Sequence, residues 1–350
     1  ASFMETSPRP FSIRAAIRFD GQAQFHPRQY LQALAWEIPG QGSHVFEHTR
    51  VLGFSRGNPC TVYTERGELH ARDIILASHF PLDDKALYAL RLIPHQSYVL
   101  GLRLSAPAPR GTYMDAQTSH SVRQHPLTRN GEPAGELLLV GGEGHRVGEG
   151  GDTAARYRRL QEWACQRFAV QAVEYRWTTF DHRAIDGLPY IGRANPFQDH
   201  VYVATGFGGW GMSNSTAAAL LLRDKILQKE NSWRELFDPG RASGAAGFGR
   251  HVLDVGRHFI GDRLHKAPAP DSIGPDEGGI VAGSSGHVAL YRDGQGHPHA
   301  FSPVCPHMGC HVKWNPGEKT WDCPCHGSRF DTQGEIISGP ALKPLDPVDL

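Results

Sequence analysis

The stretch "CPHMGCHVKWNPGEKTWDCPCHGSRF", residues 305–330, holds four of the chain's six cysteines and three of its twenty histidines. Within it, one residue separates Cys305 from His307, and two residues separate Cys323 from His326. Two short loops therefore each offer one thiolate and one imidazole, the side chains that bind zinc and iron in proteins. The pattern predicts a metal centre that both loops build.

A structural zinc site is the first alternative, because two cysteines and two histidines also bind zinc. The single residue between Cys305 and His307 is a shorter spacing than zinc-binding pairs usually have. Each loop also carries an additional cysteine, Cys310 in the first and Cys325 in the second. Both features count against zinc, and the spacing alone leaves the choice open.

The motifs resemble the cluster-binding loops of the Rieske family. "CPHMGC" matches the first loop, "CPCHGS" the second, and "SGPA" at 338–341 the proline loop that covers the cluster. The resemblance implies a 2Fe-2S cluster with two cysteines on one iron and two histidines on the other, here Cys305 and Cys323, and His307 and His326. It also implies a disulfide between Cys310 and Cys325.

Two nearby residues are implied to tune this cluster. Ser328 stands where the family's serine donates a hydrogen bond to a bridging sulfide, which raises the potential. Phe330 lacks the hydroxyl of the tyrosine that is often found there. Clusters with two histidine ligands have potentials of about −150 to +300 mV, and we expect a value below about +200 mV. The ligand histidines are expected at a partly exposed tip, where electrons leave.

The composition of the chain does not indicate a particular binding partner. The 36 basic and 36 acidic side chains cancel, so no net field attracts nucleic acid or anionic lipid. The longest apolar run, 217–222, is far shorter than the roughly 20 residues that cross a bilayer. We expect a cytoplasmic protein with no nucleic-acid partner and no transmembrane segment.

Periodicity predicts mixed sheets and helices up to residue 237. Helical patterns cover 27–38, 153–168 and 213–227, and the apolar face of the first is expected to pack on a core. Strand patterns lie between the helices, three of them within residues 44–78. Residues 238–269 are rich in Gly, Ala, Arg and Pro and are predicted to be a linker. From residue 270 to 350, short strand patterns and tight turns predict a small all-β domain. The predicted domains are therefore 1–237 and 270–350.

The larger part resembles FAD-dependent oxidoreductases of the D-amino-acid oxidase and glycine oxidase type. The residues that carry the resemblance are, in the family's order, "HPRQYLQAL", "TRVLGF", "ELHARDIILAS", "DGLPYIG" and "VYVATGFGGWGMSNSTAAALL". The resemblance implies partial FAD and substrate domains, an α+β or α/β architecture, ahead of the Rieske domain.

Flavin contacts carry over by position. Val51 is implied to contact the adenine end of FAD through its backbone, and Ala77 and Ser78 to close the turn at the end of a strand. The loop implied to pass the isoalloxazine ring, called the flavin loop below, comprises Gly206, Phe207, Gly208, Gly209, Trp210, Gly211 and Met212. Its glycines permit a close approach of backbone amides, and the helix that follows points its positive end at the ring.

The family's N-terminal strand, phosphate loop and helix are not found in this sequence. "GGEGHRVGEGG", residues 141–151, lacks the G-x-G-x-x-G spacing and is predicted to be a loose glycine-rich loop. We expect the segment that holds the FAD pyrophosphate to lie upstream, so that full FAD binding needs it.

The substrate side departs from the family. Where amino-acid oxidases of this type place a carboxylate-binding arginine, this chain has Asp181, with Arg183 close by. Asp181 is either a partner for a cationic amine or an ordinary solvated acid. Asp181, Arg183 and Trp210 are the candidate catalytic residues, and His182 and Tyr113 are candidates for the pocket.

Together the two resemblances imply an FAD-dependent oxidoreductase acting on a CH–NH or CH–NH2 group of a small amine or amino-acid-like substrate. Its electrons would leave one at a time through the cluster to an external acceptor, either a protein or a quinone-like molecule. The alternative is an electron-transfer or redox-sensing Rieske module on a non-catalytic oxidase-like scaffold. A zinc-stabilised structural protein is the third possibility.

Overall fold

The computed structural model describes residues 1–350 apart from 7–10, 83–86, 150, 197–198, 242–248, 250–252, 254, 265 and 285. The chain divides into two units. The first comprises Ala1–Val45, Ser97–Gly144 and Asp152–Thr179, and the second comprises Phe46–Gln96, His145–Gly151 and Phe180–Leu350. The domain boundaries expected at residues 237 and 270 stay predictions.

The strands, in chain order, are β1 (Ser2–Met4), β2 (Ala16–Arg18), β3 (Val51–Ser55), β4 (Cys60–Thr64), β5 (Gly67–Ala71), β6 (Ile74–Leu76), β7 (Leu92–Leu104), β8 (Thr112–Met114), β9 (Ser121–Arg129), β10 (Glu132–Arg146), β11 (Val170–Ala184), β12 (Tyr190–Arg193), β13 (Val201–Thr205), β14 (Gly278–Gly283), β15 (Gly286–Arg292), β16 (Pro298–Phe301), β17 (Lys313–Asn315), β18 (Thr320–Asp322), β19 (Arg329–Phe330) and β20 (Ile336–Ser338). The helices of the first 240 residues, apart from a 3-10 turn at Tyr88–Leu90, are α1 (Pro27–Trp36), α2 (Thr153–Cys165), α3 (Gly211–Ile226) and the single turn α4 (Arg234–Phe237).

A five-stranded sheet with the order β11-β7-β10-β9-β8 underlies the first unit, although the segments 92–96, 145–146 and 180–184 of its strands belong to the second. Helix α2 begins after Asp152, whose carboxylate accepts hydrogen bonds from two amides of the first turn at 2.9 and 3.1 Å. Leu160 of α2 packs in one buried cluster with Leu138 of the sheet. The helix ends at Cys165, three residues earlier than predicted.

Helix α1 forms where the sequence predicts it, but it does not pack on a core. All ten of its residues are described, and none is buried. Tyr30, Leu31 and Leu34 of its apolar face are 46, 51 and 47% exposed. The expectation that this face covers a core is therefore wrong for the described part of the chain.

The predicted strands between residues 44 and 78 are present in the second unit. Strands β3, β4 and β5 form one antiparallel sheet. Strand β6 pairs in parallel with β13, which pairs on its other side with β12. Helix α3 packs Ala218, Leu221 and Leu222 against Tyr202 of β13, so the strand and helix on either side of the flavin loop are fixed to each other.

The end of the chain forms a small domain of antiparallel strands, as predicted. Its sheets have the orders β14-β15-β16 and β17-β18-β19-β20. Trp321 and Phe330, both 0% exposed, share a core with Cys305 and Cys323. The loops that carry these cysteines are thereby fixed to the sheet.

Part of the predicted linker 238–269 lies outside the described residues. At its start Arg241 is firmly bound: its guanidinium contacts both oxygens of Asp186 at 2.7 and 2.8 Å, and the side chains are 10 and 8% exposed. Residues 257–264 are helical.

The glycine-rich stretch 141–151 is mostly a strand rather than the predicted loop, because residues up to Arg146 pair within β10. A turn follows, in which Gly148 adopts a positive φ of 78°.

Candidate functional site

The two cysteine-containing loops have the same backbone geometry. In Cys305–Cys310 and in Cys323–Ser328, the N–H of the first residue donates to the carbonyl of the last at 2.8 Å. The fifth residue of each loop is a glycine, Gly309 or Gly327, with φ of 82 and 77°. Its N–H donates to the carbonyl of the loop's first cysteine at 2.9 Å. These bonds turn both loops tightly around their side chains.

The four predicted ligands come together at the tips of these loops. Cys305 and Cys323 are each 1% exposed, and their side chains are hydrogen-bonded to each other. The ring centroids of His307 and His326 lie 4.9 Å apart with the rings nearly perpendicular. That these residues bind metal stays a prediction, and the structure gathers two sulfur and two imidazole donors in one place.

The protonation of these groups fits a metal or cluster. A hydrogen bond with Cys323, supported by the backbone N–H of His307, lowers the pKa of Cys305 to about 7, which favours a thiolate. The same shared bond, together with burial, raises the pKa of Cys323. Burial lowers the pKa of His307 to about 4, so its ring is neutral as a ligand must be. Among the described residues, the buried Nδ1 of His307 has no hydrogen-bond partner, as expected of an atom reserved for metal.

A disulfide between Cys310 and Cys325 joins the two loops, with Cα atoms 6.5 Å apart. The sulfur atoms of Cys310, Cys323 and Cys325 all lie within 4.8 Å of one another. Two of these three sulfurs are used by the disulfide, so Cys323 alone among them is available to bind metal.

Ser328 is the last residue of the second loop and is 0% exposed. Its hydroxyl oxygen accepts the N–H of Ala341 at 3.0 Å, and its hydroxyl interacts with the sulfur of Cys305. Ala341 ends the "SGPA" stretch, in which the Gly339–Pro340 bond is cis. The hydrogen bond from Ser328 to a bridging sulfide stays a prediction. Its hydroxyl nevertheless lies beside the sulfur of Cys305, a predicted ligand.

The side of the loops formed by the rings of His307 and His326 is called the histidine face below. His326 is 1% exposed and His307 is half-buried, so the partly exposed tip expected from the sequence holds for His307 and is wrong for His326. The ring of Phe80, 3% exposed, has its centroid 5.4 Å from that of His307 and 5.7 Å from that of His326. The histidine face is therefore largely covered by protein.

His182 also contacts the second loop. Its Nε2 lies 3.0 Å from the carbonyl oxygen of His326. Burial lowers the pKa of His182 to about 3, so the ring is neutral. Because a carbonyl only accepts hydrogen bonds, the proton must be on Nε2. The ring thus donates to the backbone of a predicted cluster ligand.

The predicted flavin residues other than Val51 lie at one edge of the sheet β12-β13-β6. Because β6 and β13 are parallel, the segments that follow them leave from the same end, which is where such sheets bind ligands. Ala77 and Ser78 follow β6, and the flavin loop follows β13. Thr205 Oγ1 donates to the carbonyl of His79 at 2.5 Å and joins the two segments. Val51 lies in a separate sheet, at the start of β3.

The flavin loop has a backbone suited to a flat anionic group. Gly206, Gly208 and Gly209 all have positive φ, at 77, 59 and 90°. Among the described residues, no side chain caps the first turn of α3. Its free N–H groups are therefore available to negative charge on a bound ligand. These features fit a flavin, and the individual contacts stay predictions.

The substrate-side candidates lie beside this loop. The carbonyl of His182 accepts the N–H of Gly208 at 3.0 Å, which joins the end of β11 to the flavin loop. Asp181 is 34% exposed in its side chain and lies 3.8 Å from the Nε2 of His79. Arg183 pairs with Phe207 through a backbone bridge. Trp210 is 71% exposed.

Tyr113 lies in the first unit, where its hydroxyl donates to the carbonyl of Arg110. Sequence reasoning missed His79 and Phe80, and it considered His182 only for the substrate pocket. Phe80 and His182 lie beside the predicted cluster ligands only because of contacts between residues more than 100 positions apart. The sequence carries no local signal for such contacts.

Comparison with known families identifies both parts. The model of the family "FAD dependent oxidoreductase" matches residues 2–225. The model of the "Rieske [2Fe-2S] domain" matches residues 271–349. The chain belongs to the FAD dependent oxidoreductases and carries a Rieske domain. Both resemblances inferred from the motifs are confirmed, and the two domains imply FAD and a 2Fe-2S cluster as cofactors.

Relatives of this oxidoreductase differ in how much of it they match. The Rieske 2Fe-2S iron-sulfur protein YhfW of Bacillus subtilis is 37% identical over 349 residues, 98% of this chain and 68% of that protein. The cytochrome b6-f complex iron-sulfur subunit 2 of Nostoc sp. is 37% identical over 86 residues, 23% of this chain and 48% of that protein.

Among solved structures, glycine oxidase from Geobacillus kaustophilus has a TM-score of 0.47 and 21% identity, covering 58% of this chain and 55% of that one. The chain thus spans about two thirds of the Bacillus protein and about half of the other two. Of the helices in the described ranges, none is long and apolar enough to cross a membrane.

Proposed function

We propose that the protein oxidises a carbon–nitrogen bond of a small amine or amino-acid-like substrate and passes the electrons through the cluster to an external acceptor. One observation carries this proposal: a single residue connects the flavin loop to a predicted cluster ligand. Gly208 donates to the backbone of His182, and the ring of His182 donates to the backbone of His326, each at 3.0 Å. The two redox sites are therefore proposed to work together.

FAD would supply two-electron chemistry and the cluster one-electron chemistry. Each turnover would therefore need two one-electron transfers, two oxidations of the cluster by the acceptor, and release of the protons to solvent. The chain's own part is to hold and orient these groups. The positive-φ glycines of the flavin loop permit a close approach to a planar ring. The uncapped amides of α3 favour negative charge at the ring's edge.

Asp181 supports a cationic substrate. The carboxylate lies close to the flavin loop, since an added side chain on Gly209 would come within 3.8 Å of its Oδ2. It is accessible, with 34% of its side chain exposed. A carboxylate in this position can hold an ammonium group beside the flavin loop. Arg183 is exposed and is the candidate partner for a substrate carboxylate.

The acceptor is proposed to approach the first cluster loop. His307 is half-buried, in contrast to His326. Met308, next to it, is 49% exposed. A protein or quinone-like acceptor can thus contact the chain beside a predicted ligand. A cytoplasmic location stays a prediction.

An anaerobic titration of the full-length, FAD-loaded protein tests the proposal. Small amines, beginning with glycine, are added while flavin absorbance is followed, and the cluster is then observed by electron paramagnetic resonance. We expect at least one amine to bleach the flavin and produce the signal of a reduced Rieske cluster. A protein that no amine reduces, but whose cluster is reduced by external donors, would instead be an electron-transfer or sensing module on a non-catalytic scaffold.

A further inference from the structure

We propose that His182 is a positioning residue that makes His326 the ligand through which the cluster receives electrons. The inference rests on the proposed function and specifies where electrons enter the cluster, namely at the buried side of the histidine face. External acceptors then contact the cluster elsewhere.

The first argument is the burial of His182. It is 3% exposed, whereas its neighbours Asp181 and Arg183 in β11 are accessible. The strand thus turns His182 inward between two accessible neighbours, as the alternation of a strand requires. Its Nε2 lies 3.0 Å from the carbonyl oxygen of His326. A buried carbonyl needs such a hydrogen-bond donor.

The second argument is the closeness of packing around the second cluster loop. Gly327, next to His326, has a φ of 77°. A Cβ built on it would lie 3.1 Å from Cβ of Pro94, 3.5 Å from the ring of Phe180 and 3.6 Å from Nε2 of His182. Only a residue without a side chain fits here without displacement. The second loop is therefore held against the end of β11.

The third argument is the exclusion of outside partners. Phe80, at 3% exposure, lies within 5.4 to 5.7 Å, between ring centroids, of His307, His326 and His182. With His326 1% exposed, no external protein can touch its ring unless covering side chains such as that of Phe80 move. The flavin loop is connected instead to the backbone carbonyl of His326, through His182.

Two variants with side chains of similar size distinguish the effect of losing the hydrogen bond from the effect of changed packing. His182→Gln keeps an N–H donor, and His182→Phe keeps a ring without a donor. His120→Phe, at a histidine of the first unit that is 5% exposed, controls for the loss of a buried histidine. All are made in the full-length protein loaded with FAD and cluster, and iron content checks that each retains its cluster.

The first readout is the cluster's midpoint potential, titrated chemically without substrate. A donor aimed at a ligand's backbone favours the extra electron, so His182→Phe should lower the cluster's reduction constant about tenfold, ~59 mV for one electron. His182→Gln and His120→Phe should stay close to wild type. The inference is overturned if His182→Phe leaves the potential unchanged, or if His182→Gln shifts it as much.

The second readout is the rate at which the cluster is reduced after the flavin. We expect this rate to fall in His182→Phe and to be retained in His182→Gln. If the wild-type flavin never reduces the cluster, the proposed function fails and the direction of entry fails with it, whatever the potentials are. If the wild type transfers electrons and His182→Phe does so equally fast, only the present inference fails.

Discussion

Replacing Gly148 by alanine should loosen the second cluster loop from the turn that follows β10. An added Cβ would lie 2.2 Å from Cβ and 3.0 Å from Cα of Pro324, the residue between Cys323 and Cys325. The left-handed backbone at Gly148 costs alanine about 1–2 kcal/mol. Overpacking against a rigid proline ring adds about 1–3 kcal/mol. We expect the free energy of unfolding to fall by roughly 2–5 kcal/mol in total.

Gly151→Ala is the matched control. Gly151 also has a positive φ, 61°, but nothing lies within 4 Å of its added Cβ, so only the backbone cost of about 1–2 kcal/mol applies. Denaturant unfolding measures both variants, and the cluster signal in electron paramagnetic resonance reports on the loop. Equal stabilities, with unchanged cluster signals in both, would refute the contact between Gly148 and Pro324.

Further predictions concern the cluster and the anchoring of residue 241. Ser328→Ala should lower the cluster's midpoint potential by about 59 mV if the lost bond strengthens by about 1.4 kcal/mol on reduction; Ser302→Ala is the control, and equal potentials would contradict this role. Arg241→Ala leaves Asp186 buried without its cation and should lower the free energy of unfolding by about 3–5 kcal/mol, whereas a paired Arg241→Met, Asp186→Leu variant should lose less; equal losses would rule out the unpaired charge as the cause. Elemental analysis should find iron with acid-labile sulfide, and zinc without iron would exclude the cluster.

The sequence predicted the residues of the second cluster loop, but it did not predict which residues pack against that loop. The metal-binding motifs are short and local, because ligand chemistry needs fixed residue types at fixed spacings. Strands β3 to β6 and helix α3 were also predictable, since apolar periodicity and turn residues mark them. The same holds for the change to short strands after residue 270.

Tertiary contacts determine burial and strand pairing that the periodicity of the sequence does not predict. The apolar face of α1 has the pattern of a core helix, yet its residues are exposed in the described part of the chain. The stretch 141–151 was predicted to be a loop from its glycines, and pairing within β10 overrides that preference. The burial of His326 depends on Phe80 and His182, which lie 246 and 144 positions away.

The order of events after substrate oxidation tests the account most directly. The FAD-loaded, full-length protein is mixed anaerobically with an amine that bleaches its flavin and is frozen at successive times for electron paramagnetic resonance. We predict that, without any external acceptor, the reduced-cluster signal grows to one electron per protein while the flavin loses one of its two electrons. A flavin that stays reduced beside a cluster that stays oxidised would contradict the transfer of electrons from the flavin loop to His326.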